Sequence, residues 1–178
     1  MRKFYKPFKN LFLLMFIFIF FLTIEKILWS TFFTSLQAPP LWLNFVVFIA
    51  LFRPVGVGIF FTYFLGWILS FYTLAPLKLI LFTMITVYGI SLFIKTRLFM
   101  EGFFYFSVLS TIATINFHLS WLIFSYLFET QSAPLDLVYR LIQILLTPAL
   151  AFPIYYFLIR FDRLFTYYPD GESGPVNL

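Results

Sequence analysis

A run of twelve consecutive apolar residues, LFLLMFIFIFFL at residues 11–22, limits most strongly what this chain can fold into. The run does not alternate between apolar and polar residues, so it does not predict a strand of a membrane barrel. Continued to Trp29, it covers about 19 residues, which at about 1.5 Å per residue gives roughly the 30 Å needed to cross a bilayer. Because lipid offers no partner for a free backbone group, the run is predicted to be a transmembrane helix.

The residues around this run, MRKFYKPFKN before it and LFLLMFIFIFFLTIEKILW from its start, also resemble the basic and apolar regions of a signal peptide. The apolar stretch continues to Trp29, however, and no small-residue cleavage pattern follows it. A retained first helix is therefore favoured over a cleaved signal.

The composition of the chain indicates an integral membrane protein. Of its 178 residues, 62% are hydrophobic and 11% are charged, whereas soluble domains have about 25% charged residues. A soluble fold of this size would expose much of its 29 Phe, 11 Tyr and 4 Trp to water. The absence of Cys excludes disulfides and Cys-based metal sites. The net charge of +5 arises at predicted membrane edges and does not indicate nucleic acid as a partner.

Prolines, glycines and polar clusters divide the chain into six apolar segments. The predicted fold is an all-α integral membrane protein, a bundle of six transmembrane helices. The helices are predicted at about 11–29, 41–52, 57–73, 76–94, 102–128 and 137–159, within a membrane domain at 11–160. Residues 1–10 are predicted to be a basic terminus and residues 161–178 a polar tail.

The second segment is unusually short for a transmembrane helix. Its about 12 residues cover only about 18 Å. Three arrangements fit this length: the bilayer is thinned locally, the helix is extended by Ala38 to Leu41, or the helix packs inside the protein. The second and third segments are predicted to form a close hairpin that neighbouring helices shield.

The Lys and Arg residues predict how the helices are oriented. With six spans, one side of the membrane receives Arg2, Lys3, Lys6, Lys9, Arg53, Lys95, Arg97, Arg160 and Arg163. The other side receives only Lys26, Lys78 and Arg140. The positive-inside rule therefore places both termini in the cytoplasm.

Three polar residues in the predicted spans, Glu25, Asn116 and His118, form a candidate intramembrane site. Ionisable groups inside a membrane are often functional, so His118 is a candidate proton relay. The alternative is a neutral imidazole that forms a hydrogen bond across two helices. One His without Cys does not supply an ordinary set of metal ligands. The sequence also lacks a Ser-His-Asp, paired-carboxylate or phosphate-binding motif, so it predicts no catalytic residue, metal or cofactor, and no enzyme.

The stretch ALFRPVGVGIFFTYFLGWILSFYTLAPLKLILFTMITVYGISLF, from Ala50 to Phe93, resembles the core of the MreD family of bacterial rod shape-determining membrane proteins. In that family a short helix ends at a Gly/Pro/Arg turn, and the next helix carries Gly-Leu-Leu-x-Asp before Pro-Leu-Gly. GWILS and APLK stand in the corresponding places here. Ser70 replaces the usual acidic residue and Lys78 the usual Gly. The ending LTPALAFPIYYFLIRFDRLF also resembles the last helix of the family.

The resemblance implies that one set of residues serves helix packing or partner binding. These residues are Arg53, Pro54, Gly56, Gly66, Ser70, Pro76 and Lys78. Gly66 would allow two helices to approach closely, as small residues do in membranes. Pro76 would occupy the first turn of the next helix, where proline is tolerated.

The function that the resemblance implies is a non-catalytic scaffold in the bacterial cytoplasmic (inner) membrane. Members of the family are similar in fold to the S-components of energy-coupling-factor transporters and associate with MreC. With MreB, RodA and a class B penicillin-binding transpeptidase they form the machinery that elongates the cell wall. The expected partners are therefore an MreC-like membrane protein, these elongation proteins and membrane lipid.

Two alternatives remain. The chain could be an S-component-like subunit that binds a small molecule for a membrane transporter, with Asn116, His118, Glu129 and Asp136 converging near the outer face. It could also be an unrelated small subunit of another membrane complex.

Overall fold

The structure is a computed structural model that describes residues 2–33, 38–73, 75–98, 102–129 and 136–165. These residues form six helices, which confirms the prediction of an all-helical chain. The helices are α1 (Arg2–Phe32), α2 (Leu43–Phe52), α3 (Val55–Tyr72), α4 (Leu77–Arg97), α5 (Phe103–Phe128) and α6 (Leu137–Phe165).

Five of these helices are long and apolar enough to cross a membrane, which makes the chain a multi-pass membrane protein. The candidate spans are Phe12–Phe32, Val55–Tyr72, Leu77–Arg97, Phe103–Phe128 and Leu137–Asp162. The remaining helix, α2, has only 10 residues. The prediction of six helices is thus confirmed, whereas the length needed for a span is reached by five of them.

Prolines on both sides make α2 short. Pro39 and Pro40 precede it, and its first backbone bonds are short-range ones, such as the bond from the Leu43 N–H to the Pro40 carbonyl at 3.0 Å. At the other end Pro54 disfavours a helical conformation in the residue before it. Arg53 is accordingly extended, with φ −117° and ψ 154°, and α2 ends at Phe52.

The short helix α2 lies at the centre of the bundle. All residues from Leu43 to Ala50 are buried, and α2 contacts α3, α4, α5 and α6. Phe45 of α2 also packs edge-on against Phe18 of α1, with ring centroids 5.4 Å apart. Of the three arrangements that fit its length, packing inside the protein is the one observed. Its burial explains why a helix of this length is stable: neighbouring helices, rather than lipid, cover it on all sides.

The five long helices surround α2 as a ring in the order α1, α3, α4, α5 and α6. Contacts join α1 to α3, α3 to α4, α4 to α5, and α5 to α6. The ring closes where Phe21 of α1 meets Phe157 of α6, with ring centroids 5.3 Å apart. The bundle is therefore built around one buried helix.

Both the start of α1 and the end of α6 lie at the same end of the bundle. Lys26, near the end of α1, donates to the Tyr72 carbonyl at the end of α3, so these two helices run in the same direction. At the start of α3, Arg53 pairs with Asp162 near the end of α6. We call this the Arg53 end. Which face of the membrane it occupies stays a prediction.

The helix boundaries differ most from the prediction at the chain termini. Helix α1 begins at Arg2, so the segment predicted as a basic terminus is helical within the described residues. Helix α6 continues to Phe165 with Pro148 and Pro153 inside it, so the first part of the predicted tail is also helical. Proline is tolerated in membrane helices because neighbouring groups satisfy the freed backbone atoms. Residues 166–178 lie outside the described residues.

Candidate functional site

The Arg53 end contains a buried ion pair. The Arg53 guanidinium donates to the Asp162 carboxylate of α6, and Asp162 is 5% exposed. Arg53 was predicted to bind a partner, but its described contact lies within the chain. From the sequence, Asp162 is an edge charge that water would solvate, and burial corrects this interpretation. The opposite charges of the two residues at one predicted edge are the signal that could have indicated the pair.

Lys95 of α4 caps the end of α2. Its ammonium donates to the Ala50 carbonyl at 3.0 Å and to the Leu51 carbonyl at 2.6 Å. The last carbonyls of a helix have no partner within the helix and must find one elsewhere when they are buried. A charge predicted to lie in the membrane-edge loop after the fourth helix therefore stabilises the central helix instead.

We expect replacement of Lys95 by Met to lower the free energy of unfolding by about 1–3 kcal/mol, because two carbonyls of a buried helix lose their donor. Chemical denaturation of the purified chain in detergent micelles measures this change. Arg97→Met is the matched control, since Arg97 is exposed on the same helix and lies over the Phe93 ring. The control is expected to stay within about 0.5 kcal/mol of the original chain. Equal stability of the two variants would contradict the capping role.

The glycines at the start of α3 have different surroundings. A Cβ atom on Gly58 would lie 2.7 Å from Cζ of Tyr88 and closer still to its hydroxyl oxygen. A Cβ atom on Gly56 would meet nothing within 4 Å. Gly66 lies between these extremes, since its Cβ would be 3.0 Å from Cδ2 of Leu81. Gly58 and Gly66 thus pack against α4, whereas Gly56 faces open space.

The other residues predicted for partner binding lie at the opposite end of the bundle or close to it. The Ser70 hydroxyl donates to the Trp67 carbonyl of its own helix at 2.6 Å. Pro76 precedes α4, and Lys78 is exposed with its ammonium 5.5 Å from the Phe128 ring centroid. Since α3 runs from one end to the other, the structure separates these three residues from Arg53, Pro54 and Gly56. The predicted set does not form one site.

The candidate polar site at Glu25, Asn116 and His118 is also divided. Glu25 is half-buried beside Lys26, which contacts α3. The Asn116 carbonyl oxygen accepts a bond from Ser120 at 3.3 Å, one turn along α5. His118 contacts α6 instead. Residues two apart on a helix point to different sides.

His118 packs against Arg140, a residue for which the sequence predicts only a side of the membrane. Nη1 of Arg140 lies 3.4 Å from Nδ1 of His118. A guanidinium has no acceptor atom, so Nδ1 accepts and the hydrogen of the neutral imidazole is on Nε2. His118 is 7% exposed, and its Nε2 atom is buried without a hydrogen-bond partner among the described residues. This geometry favours the bridging imidazole over the proton relay.

Of the acidic residues expected near this region, Glu129 accepts a bond from Ser125, and Asp136 precedes α6 in an exposed position. Within the described residues, no group of three or more His, Cys, Asp or Glu side chains is arranged to hold a metal ion.

Comparison of the chain with family models, with curated proteins and with solved structures finds no match.

Proposed function

We propose that this chain is a non-catalytic scaffold subunit of the bacterial cell-wall elongation machinery in the cytoplasmic membrane, where it holds the membrane anchor of an MreC-like partner. The open surface at Gly56 is the observation that carries the proposal. Gly56 begins α3 within the stretch that resembles the MreD family, and no atom of the chain lies within 4 Å of its Cβ position.

The surface around Gly56 has the chemistry of a helix contact in lipid. Its neighbours on α3 are exposed and apolar: Val55 is 54%, Ile59 51% and Phe60 58% exposed. Helices in membranes associate where small residues let two backbones approach, because lipid removes the hydrophobic drive. A partner helix that crosses α3 at Gly56 would gain close packing against these side chains.

The charges beside this surface support a structural role for the Arg53 end. Arg53 and Lys95 make their contacts inside the chain, to Asp162 and to the end of α2. These contacts hold the start of α3 in place, so the surface at Gly56 is fixed before a partner arrives. A rigid surface costs less conformational entropy on binding than a mobile one. MreB, RodA and the transpeptidase would then be reached through the MreC-like partner.

Gly56→Leu tests the proposal. The side chain would enter open space, so the fold is expected to keep its stability, while a partner helix loses its close approach. Co-purification of a tagged MreC-like protein from membranes is expected to fall at least about tenfold, corresponding to a loss of about 1.4 kcal/mol in binding.

Gly89→Leu is the matched control, because Gly89 is also exposed on a long helix and has nothing within 4 Å of its Cβ position. It lies on α4 and is expected to leave co-purification unchanged. Equal partner recovery with both variants, or no recovery with the original chain, would overturn the scaffold assignment at this surface.

A further inference from the structure

Three segments of the chain meet at the part of the bundle away from the Arg53 end. Trp42, just before α2, packs edge-on against Phe117 of α5 with ring centroids 5.2 Å apart. Gln143 of α6 donates to the Ala38 carbonyl at 2.7 Å. With the contact between His118 and Arg140, these interactions bring the start of α2, the middle of α5 and the start of α6 together.

Buried polar atoms without partners concentrate in this region. Both side-chain atoms of Asn44, Nδ2 of Asn116 and Nε2 of His118 are buried and have no hydrogen-bond partner among the described residues. Asn44 is fully buried, and Asn116 is 9% exposed. An unsatisfied buried polar atom costs about 1–3 kcal/mol. Four such atoms near one helix start therefore indicate a group that the described side chains do not supply.

The atoms in this region are mainly donors. His118 carries its hydrogen on Nε2, the Asn116 amide presents N–H groups, and Asn44 presents one donor group and one acceptor. Arg140 adds a positive charge. Helix α2 starts here without a side-chain cap, so the positive end of its dipole faces the same place. The carboxylate of Asp136 acts on Arg140 from an exposed position four residues earlier, away from the buried donors.

We propose that the region around Asn44, Asn116, His118 and Arg140 is a binding site for an anionic oxygen group, a carboxylate or a phosphate. Such a group accepts several hydrogen bonds at once, which matches a set of buried donors beside a guanidinium. The same chemistry is offered by a small soluble acid and by the phosphate of an anionic lipid. This site goes beyond the scaffold role and does not depend on it, because it lies away from Gly56.

The single histidine provides a direct measurement. The full chain, freed of any histidine tag and labelled with ¹⁵N only at histidine, gives one imidazole NMR pattern in an uncharged detergent. Sodium phosphate and sodium acetate are titrated against sodium chloride at equal ionic strength. In a separate arm, micelles contain dioleoylphosphatidic acid or, as control, dioleoylglycerol. We expect a hydrogen on Nε2 and a saturable shift of its resonance in at least one arm, and the responding arm identifies the source of the anion.

Variants separate a built site from a general effect of salt. Arg140→Gln is expected to weaken the apparent affinity at least about tenfold, while Arg140→Lys retains more of it than Arg140→Gln does. Lys78→Gln removes an exposed positive charge near the same part of the bundle and is expected to leave the affinity unchanged. Absence of a saturable shift in every arm would overturn the proposal without any variant. An unchanged affinity in Arg140→Gln would do so as well.

Discussion

Replacing Asp162 by Asn is expected to lower the free energy of unfolding by about 3–5 kcal/mol, the largest loss for any single substitution considered for this chain. The Asp162 carboxylate is 4% exposed and pairs with Arg53, whose side chain is 16% exposed. Removing one charge leaves the other in a low-dielectric environment with no ion to balance it. Denaturation of the purified chain in mixed micelles, followed by circular dichroism, measures the change.

Two further variants test whether the pair itself is responsible. The double variant Arg53→Met with Asp162→Leu removes both charges and is expected to recover most of the loss, because apolar residues of similar size replace buried ion pairs at little cost. Asp136→Asn removes an exposed carboxylate and is expected to stay within about 0.5 kcal/mol. An Asp162→Asn chain as stable as the Asp136→Asn chain would show that the buried pair contributes nothing.

The class of fold follows from the sequence because it depends on local properties. Apolar length predicts helices in lipid, and proline and glycine clusters predict where they end. The structure accordingly contains six helices close to the predicted positions within the described residues. The central place of α2 could not be predicted in this way. Its apolar residues are as compatible with a lipid contact as with a protein contact, and only the packing of five other helices distinguishes the two.

The roles of the charged residues were harder to predict because they depend on pairs far apart in sequence. Arg53 and Asp162 are 109 residues apart, and Lys95 reaches carbonyls 44 and 45 residues earlier. Helix direction places such residues at one end of the bundle, but only the packing decides which of them meet. Asn44 is a different case: a lone amide within LWLNFVVFIALF is a visible signal for a buried polar group.

The two glycines of the sequence GVG illustrate the same limit at the scale of one turn. Gly56 and Gly58 have almost the same local sequence, and both precede the apolar part of α3. Only Gly58 faces Tyr88, which lies thirty residues further along the chain on α4. The different importance of the two positions is therefore a property of the packed helices.

Gly58→Ala is expected to lower the free energy of unfolding by about 1–3 kcal/mol, the cost of overpacking a filled site. The new methyl group would lie 2.7 Å from Cζ of Tyr88, so the tyrosine must move. Tyr88 is 2% exposed and donates to the Val55 carbonyl at 3.2 Å, and this bond breaks when the ring shifts. Gly56→Ala places the same methyl group in open space and is expected to stay within about 0.5 kcal/mol.

A double-mutant cycle with Tyr88→Leu identifies the cause of this loss. Leucine has no ring atom at the position of the clash, so Gly58→Ala is expected to cost much less in the Tyr88→Leu chain than in the original chain. The expected coupling is at least about 1 kcal/mol, which is typical of residues in direct contact. A coupling near zero would mean that Gly58→Ala acts through α3 alone. The contact between α3 and α4 would then not require a glycine at this position.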